Sequence, residues 1–162
     1  MGELAMQKET QIRVLIVGGA LMSLHYGARQ STHDVDVVIL APENVKVVRE
    51  IAATVANERN WPSDWLNDAV KGYVVPQNWT MSILEGPGIT VVAPRAEQML
   101  AMKLMAWRDD VDVNDAIRLL QELPDQKELV NQMIAPFLLP GNELKATYAL
   151  DDLWESLHND HG

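Results

Sequence analysis

Two pairs of residues in the first quarter of the chain have types and spacing that suit chemistry on a charged ligand. Gly18 and Gly19 end one apolar run, and Asp34 and Asp36 open the next. Side chains alternate across a strand, so these two carboxylates are predicted to project from the same face. Carboxylates this close repel each other unless a cation or a proton lies between them. A metal site is therefore one interpretation, and a solvated acidic surface is the other.

The glycine pair adds to this interpretation. Gly-Gly between a strand and a helix lets the backbone approach a phosphate closely, with helix N–H groups directed at it. Alone, such a turn is often only structural. Next to two carboxylates on one face, it predicts a site that holds a nucleoside triphosphate through Mg²⁺, which prefers hard oxygen ligands. In a two-metal version, the ions would stabilise both the attacking and the leaving oxygen of an in-line displacement.

The elements that must position these residues are a strand over 12–17, a helix over 20–29 and a strand over 34–40. The first strand is almost continuously apolar, as expected when both faces are covered. The helix places Leu21, Leu24 and Ala28 on one stripe, and Gly27 is expected to help end it.

The rest of the chain adds strands in its first half and helices in its second. The pattern predicts a short helix over 3–11, a helix over 42–59, one or two helical turns over 64–70, strands over 79–84 and 89–93, and helices over 94–107, 111–120, 126–137 and 144–157. This order predicts an α+β (mixed α/β) fold with a small mixed sheet flanked by helices and a helical C-terminal part. We expect one domain over 1–162, with an α/β core over 1–94 and helices over 95–162 packed on it.

Composition narrows the class of protein. A length of 162 residues with 48% apolar and 22% charged residues is typical of one globular domain. The absence of cysteine excludes disulfides and thiolate metal sites, and it favours a cytoplasmic location. We expect no membrane span and no signal peptide. A net charge of −10 argues against nonspecific binding to nucleic acid, which needs clustered lysines and arginines.

Two segments of the chain resemble the signature of a known superfamily. Val17-Gly18-Gly19 followed by Asp34-Val35-Asp36 is similar to the signature of the nucleotidyltransferases related to DNA polymerase beta, with a spacer at the long end of the pattern. Within that superfamily, residues 23–29 with Ser31 resemble the AbiEii-type abortive-infection toxins. Residues 65–72 and 102–106 resemble segments of a related uncharacterised bacterial group. The resemblance covers roughly residues 12–122, and residues 123–162 contribute nothing to it.

The resemblance implies a Mg²⁺-dependent enzyme that transfers a nucleoside monophosphate from an NTP to an acceptor. Gly18, Gly19 and Ser31 would bind the nucleotide, and Asp34 and Asp36 would bind the metal and act in catalysis. The acceptor would be RNA, a protein or a small molecule, with RNA disfavoured by the net charge. A cognate protein partner in a toxin–antitoxin pair is also implied.

Lys103 is the only charge between Met99 and Trp107 in an apolar helical stretch. It is either a lysine that extends to solvent past its neighbours or a cation that offsets triphosphate charge. AbiEii-type proteins carry a functional lysine in a comparable helix, followed by aspartates on the next helix. Asp112 and Asp115, three residues apart on one helical face, match those aspartates. Their alternative role is that of acids favoured by a helix N-terminus.

One part of the superfamily pattern is missing. Many of these enzymes use a third carboxylate on a later strand, but the later strands predicted here, 79–84 and 89–93, contain no acid, and only Glu85 lies at an end. Asp68 is a substitute by sequence alone, so the general base is unassigned. The absence of a third carboxylate from these strands favours a second interpretation, a catalytically weak nucleotide-binding or protein-binding module such as an antitoxin. A third is a plain α+β domain with an accidental motif.

Overall fold

The computed structural model describes residues 1–28, 34–76, 80–107 and 110–159. Its helices are α1 (Gly2–Gln7), α2 (Gly18–Leu24), α3 (Val45–Arg59), α4 (Ala96–Ala106), α5 (Asp110–Leu120), α6 (Lys127–Ile134) and α7 (Glu143–Asn159). Its strands are β1 (Ile12–Val17), β2 (Val35–Ala41), β3 (Leu66–Asn67), β4 (Met81–Gly86) and β5 (Ile89–Ala93). Short 3₁₀ helices span Ala69–Tyr73 and Ala135–Phe137. The predicted mixed α/β class, with a five-strand mixed sheet, flanking helices and a helical C-terminal part, is confirmed.

The chain divides into two compact units. The first comprises Met1–Gly72 and Gln77–Pro94, and it contains the sheet. The second comprises Tyr73–Pro76 and Arg95–Gly162, and its described elements are helical.

The sheet of the first unit has the strand order β3-β2-β1-β5-β4. β1 lies in the centre, antiparallel to β2 and parallel to β5. The edges are β3, parallel to β2, and β4, antiparallel to β5. Val17 at the end of β1 is paired with Asp36 near the start of β2. The glycines that follow β1 therefore lie beside the acidic end of β2.

Apolar side chains cover one face of this sheet beneath α1 and α3. The buried cluster is made of Ala5, Ile12, Val14, Val37, Val48 and Ile51, with Val35, Ile39 and Leu66 packed against it. Because strand side chains alternate, burial of Val35 and Val37 under α3 turns Asp36 to the opposite face. The same alternation turns Asn67 away from α3, since its neighbour Leu66 packs into the cluster.

Several predicted boundaries of the first unit are wrong. The helix predicted over 20–29 begins at Gly18 and ends at Leu24, which is 72% exposed rather than part of a buried stripe. Gly27, at a φ of +63°, does follow the helix end, where Ala28 N–H donates to the Met22 carbonyl. The N-terminal helix ends early, at Gln7, because Glu9 adopts the left-handed conformation.

Two further segments of the first unit also differ from the predictions. The helical turns predicted over 64–70 are instead β3 and a 3₁₀ helix, since Val35 N–H donates to the Trp65 carbonyl and draws this segment to the sheet edge. The helix predicted from Pro42 begins at Val45, with Asn44 as its N-cap residue. The strand predicted over 79–84 is β4, Met81–Gly86, and Trp79 lies outside the described residues. The strands over 12–17 and 89–93 are confirmed.

The second unit is built around α4. This helix buries Met99, Leu100, Ala101 and Leu104 almost completely and contacts α5, α6 and α7. A helix with mostly apolar residues around its circumference belongs in the interior of a helical bundle. The four helices predicted after residue 94 are confirmed, with ends shifted by a few residues and the last turn of the third replaced by the 3₁₀ helix Ala135–Phe137. No described helix combines the length and apolar character that a membrane span needs.

Candidate functional site

Gly18 and Asp36 meet where β1 ends and β2 begins. Gly18 adopts a φ of +64°, in the left-handed region that side chains rarely occupy. A Cβ atom at this position would lie 2.8 Å from Oδ2 of Asp36. Glycine is therefore required twice, for its backbone conformation and for the space that the carboxylate borders. Gly19 follows as the second residue of α2.

Asn67 completes this group from the neighbouring strand. It is the register partner of Asp36 in the β2–β3 pair, and its Nδ2 donates a hydrogen bond to Asp36 Oδ1 over 2.8 Å. The Ala69 backbone N–H donates to Asn67 Oδ1 over 3.1 Å. Because a backbone N–H can only donate, the oxygen of the amide must face Ala69 and its nitrogen must face Asp36.

The sequence pattern does not single out Asn67 as a member of this group. The pattern predicts a helical segment here, and a two-residue strand is too short to show alternation. The signal that could have found it is the resemblance of residues 65–72 to related bacterial proteins, which points to this stretch without assigning a role to the asparagine.

Asp34 and Ser31 complete the set predicted in the first unit. Asp34 is exposed and stands immediately before β2, two positions before Asp36. Ser31 lies outside the described residues. Of the predicted nucleotide- and metal-binding residues that are described, the structure thus brings Gly18 into contact with Asp36 and leaves Asp34 at the adjoining strand entry.

The donor set at this position suits a hard cation that arrives with its own ligands. Among the described residues, no group of three or more His, Cys, Asp or Glu side chains could hold a metal ion. Magnesium often takes one or two carboxylates from the protein and the rest of its ligands from phosphates and water. The two aspartates, together with the space that Gly18 leaves open beside Asp36 Oδ2, fit that arrangement and do not fit a metal cage made of protein alone.

Lys103, Asp112 and Asp115 form an ion-pair cluster within the second unit. Lys103 Nζ lies 3.0 Å from Asp112 Oδ1 and 2.7 Å from Asp115 Oδ2. All three residues are buried, Asp115 to 1% exposure and Lys103 to 9%. The lysine thus does not extend to solvent, and the cluster of one cation and two carboxylates joins α4 to α5.

The two acids considered as a third carboxylate both have other partners. Oδ2 of Asp68 accepts hydrogen bonds from Arg49 Nε and Nη2 over 3.0 and 2.7 Å, which ties it to α3. Glu85 lies in β4 and accepts from the Ser82 hydroxyl. Since β1 and β5 separate β4 from β2, about 14 Å of sheet lies between β4 and Asp36. The side chain that faces Asp36 across the strand pair is the neutral amide of Asn67.

A comparison with known protein families finds a match for this chain. The family model described as "Nucleotidyltransferase of unknown function (DUF6036)" matches residues 2–135, which is most of the chain. The chain belongs to this nucleotidyltransferase family. No curated protein and no solved structure matches it.

Membership in this nucleotidyltransferase family confirms the predicted resemblance at its coarser level. The family implies an NTP substrate, and nucleotidyltransferases typically use metal ions. The likeness to AbiEii-type toxins, the identity of the metal and the roles of individual residues stay predictions. The matched region ends after α6, so α7 lies beyond it.

Proposed function

We propose that the first unit binds a nucleoside triphosphate with Mg²⁺ and transfers its nucleoside monophosphate group to an acceptor. The observation that carries this proposal is the contact between Gly18 and Asp36, in which a carboxylate oxygen borders the space that a side chain at position 18 would fill. Among the described residues, this position combines a glycine whose backbone a phosphate could approach with a carboxylate that could share its metal ion.

Each residue of the group has a distinct role in the proposed reaction. The backbone at Gly18 and Gly19 lies against the triphosphate, and Ser31 is proposed to bind it as well. Asp36 would hold the metal, with Asp34 as the second carboxylate. When bound, the ion neutralises charge on the phosphate oxygens and on the leaving pyrophosphate. The acceptor oxygen bonds to the α-phosphorus, the bond to the bridging oxygen breaks, and the acceptor's proton passes to a base.

The proposal for Lys103, Asp112 and Asp115 rests on the resemblance to AbiEii-type toxins. It assigns the lysine to the triphosphate charge and the aspartates to the acceptor. Lys103 already pairs with both carboxylates, so binding a phosphate would require it to exchange at least one of them. A nucleotide affinity that falls when Lys103 is replaced, in a variant shown to be folded, would support this role.

The acceptor is RNA, a protein side chain or a small molecule. The net charge of −10 disfavours RNA, because phosphate contacts need clustered cations. The same resemblance suggests a cognate protein partner in a toxin–antitoxin pair.

A second function is favoured by one observation. The group facing Asp36 is an amide rather than a third carboxylate, and the described part of the first unit offers no other acid in that place. A module that binds nucleotide or protein with little catalysis, such as an antitoxin, would tolerate that replacement. Transfer activity separates this function from the first.

Calorimetric titration with ATP, GTP, CTP and UTP, with and without Mg²⁺, tests nucleotide binding. At least one triphosphate should bind in a Mg²⁺-dependent way, and Asp36→Asn should abolish that dependence. Asp152→Asn, an identical change at an exposed position of α7, is the matched control and should bind as the wild type does. Binding that survives Asp36→Asn unchanged would show that the metal site is elsewhere.

Incubation with α-labelled triphosphates and fractionated cell extract then tests transfer. Label that appears in one fraction only with the wild type, and not with Asp36→Asn, would support the enzyme and identify the acceptor class. Mg²⁺-dependent binding without any transfer to RNA, protein or small molecules would favour the second function.

A further inference from the structure

The two oxygens of the Asp36 carboxylate lie in different surroundings. Oδ1 accepts the hydrogen bond from Asn67 Nδ2, whereas Oδ2 borders the position that a Cβ of Gly18 would occupy. Oδ1 therefore binds a donor of the protein, and Oδ2 faces the space beside the glycine turn.

A second hydrogen bond fixes the Asn67 side chain that donates to Oδ1. Ala69, at the start of the 3₁₀ helix that follows β3, donates its N–H to Asn67 Oδ1. This bond fixes which end of the amide faces Asp36, and the β2–β3 pairing fixes its distance. A chain of two hydrogen bonds thus runs from the backbone of Ala69 through Asn67 to the carboxylate.

We propose that Asn67 is a positioning residue that makes Asp36 a one-oxygen ligand, with Oδ2 as the metal-binding atom. This inference rests on the function proposed above and adds the residue that sets the ligand's orientation. The amide adds no charge to the site, and its oxygen faces Ala69 whereas its nitrogen faces Asp36. Asp34, which stands immediately before β2, remains the proposed second carboxylate.

Groups that orient a metal ligand typically change metal affinity by about 10–100-fold when they are removed. Asn67→Ala should therefore weaken Mn²⁺ binding about tenfold or more, measured by electron paramagnetic resonance with Mn²⁺ alone and with Mn²⁺ and ATP. Asn57→Ala, at an exposed asparagine of α3 in the same unit, is the control and should leave the affinity unchanged.

The isosteric variant Asn67→Asp tests the same proposal if Asn67→Ala fails to fold. It replaces the donor to Asp36 with a second carboxylate, so the two acids repel each other in the absence of a cation and share one when it is present. Mn²⁺ should therefore raise its unfolding temperature by more than it raises that of the wild type.

Three results would overturn the proposal, and the last of them also overturns the proposed function. If wild-type protein binds Mn²⁺ with ATP and folded Asn67→Ala binds equally well, or if Mn²⁺ shifts Asn67→Asp no more than wild type, Asn67 does not position the ligand although the metal site exists. If the wild type binds no Mn²⁺ with any triphosphate, the proposed function fails and this inference fails with it.

Discussion

Gly18 and Asp36, at adjacent ends of two antiparallel strands, are so close that a methyl group on the glycine would lie 2.8 Å from the carboxylate. No real Cβ atom tolerates that approach without a shift of its neighbour. The identity of residue 18 and the position of the Asp36 side chain are therefore coupled, and the coupling can be measured.

Gly18→Ala should reduce both stability and nucleotide binding. A left-handed conformation costs a residue other than glycine about 1–2 kcal/mol, and the new methyl group must also displace Asp36. Gly141→Ala is the control, because Gly141 has a φ of +87° and, among the described residues, nothing lies within 4 Å of the point where its Cβ would stand. Urea unfolding should show a similar backbone cost for both, whereas calorimetry should show weaker Mg²⁺–triphosphate binding only for Gly18→Ala. Equal binding losses would contradict the coupling.

Lys103→Met should destabilise the protein by about 3–5 kcal/mol, because it leaves two buried carboxylates without their cation. Lys145→Met, at an exposed position of α7, should change the free energy of unfolding by no more than about 0.5 kcal/mol. Urea denaturation measures the free energy of unfolding of both variants. A Lys103→Met protein as stable as wild type would mean that the three charges are not held together in solution.

The ion pair between Lys127 and Asp151 predicts a pH dependence at the alkaline end. The hydrogen bond from Lys127 to Asp151 raises the pKa of Lys127 above its ordinary value of 10.5. A group whose pKa is raised on folding stabilises the protein below its unfolded pKa, and this contribution is lost as the pH rises through the folded value. The stability difference between wild type and Asp151→Asn should therefore shrink above pH 10.5. Asp152→Asn should show no such trend, and a constant difference for Asp151→Asn would refute the link.

Asp68→Asn should leave Mg²⁺–triphosphate binding intact, since the Asp68 carboxylate binds Arg49 on α3. Arg49 is largely exposed, and such pairs contribute about 0–1 kcal/mol, so stability should also change little. The same calorimetric titration that is used for Asp36→Asn makes the comparison direct. A loss of transfer activity with intact binding would instead identify Asp68 as the missing base.

The sequence pattern alone predicts the elements of this fold that have apolar surroundings on all sides. β1 and β5 are apolar because they lie inside a sheet, and α4 is apolar because helices surround it, so the order of their residues predicts them. The proximity of Gly18 and Asp36 depends on the antiparallel pairing of β1 with β2. The order of elements does not predict it, since two strands joined by a helix more often pair in parallel. What the pattern cannot supply is the partner from a distant segment.

Asn67 illustrates that limit. Its role depends on β3 pairing with β2, a contact between residues far apart in the chain and made by only two residues of strand. The pattern around Trp65 and Leu66 predicts a helix, because it does not show their tertiary contacts. Trp65 accepts a hydrogen bond from the Val35 N–H, and Leu66 packs against the apolar cluster under α3. Leu24 shows the opposite error: the pattern places it on an apolar stripe, but it lies at the end of α2 and is exposed.

The position of α7 affects how the protein can be shortened. The family match ends at residue 135, yet α7 packs on α4 and buries Ala146, Ala149, Leu150 and Leu153. A chain cut after residue 135 would leave the apolar surface of α4 open to water and prone to aggregation. A chain cut after Asn159 would keep that surface covered. Comparing the solubility of the two forms would show whether the stable boundary of the protein lies beyond the boundary of its family.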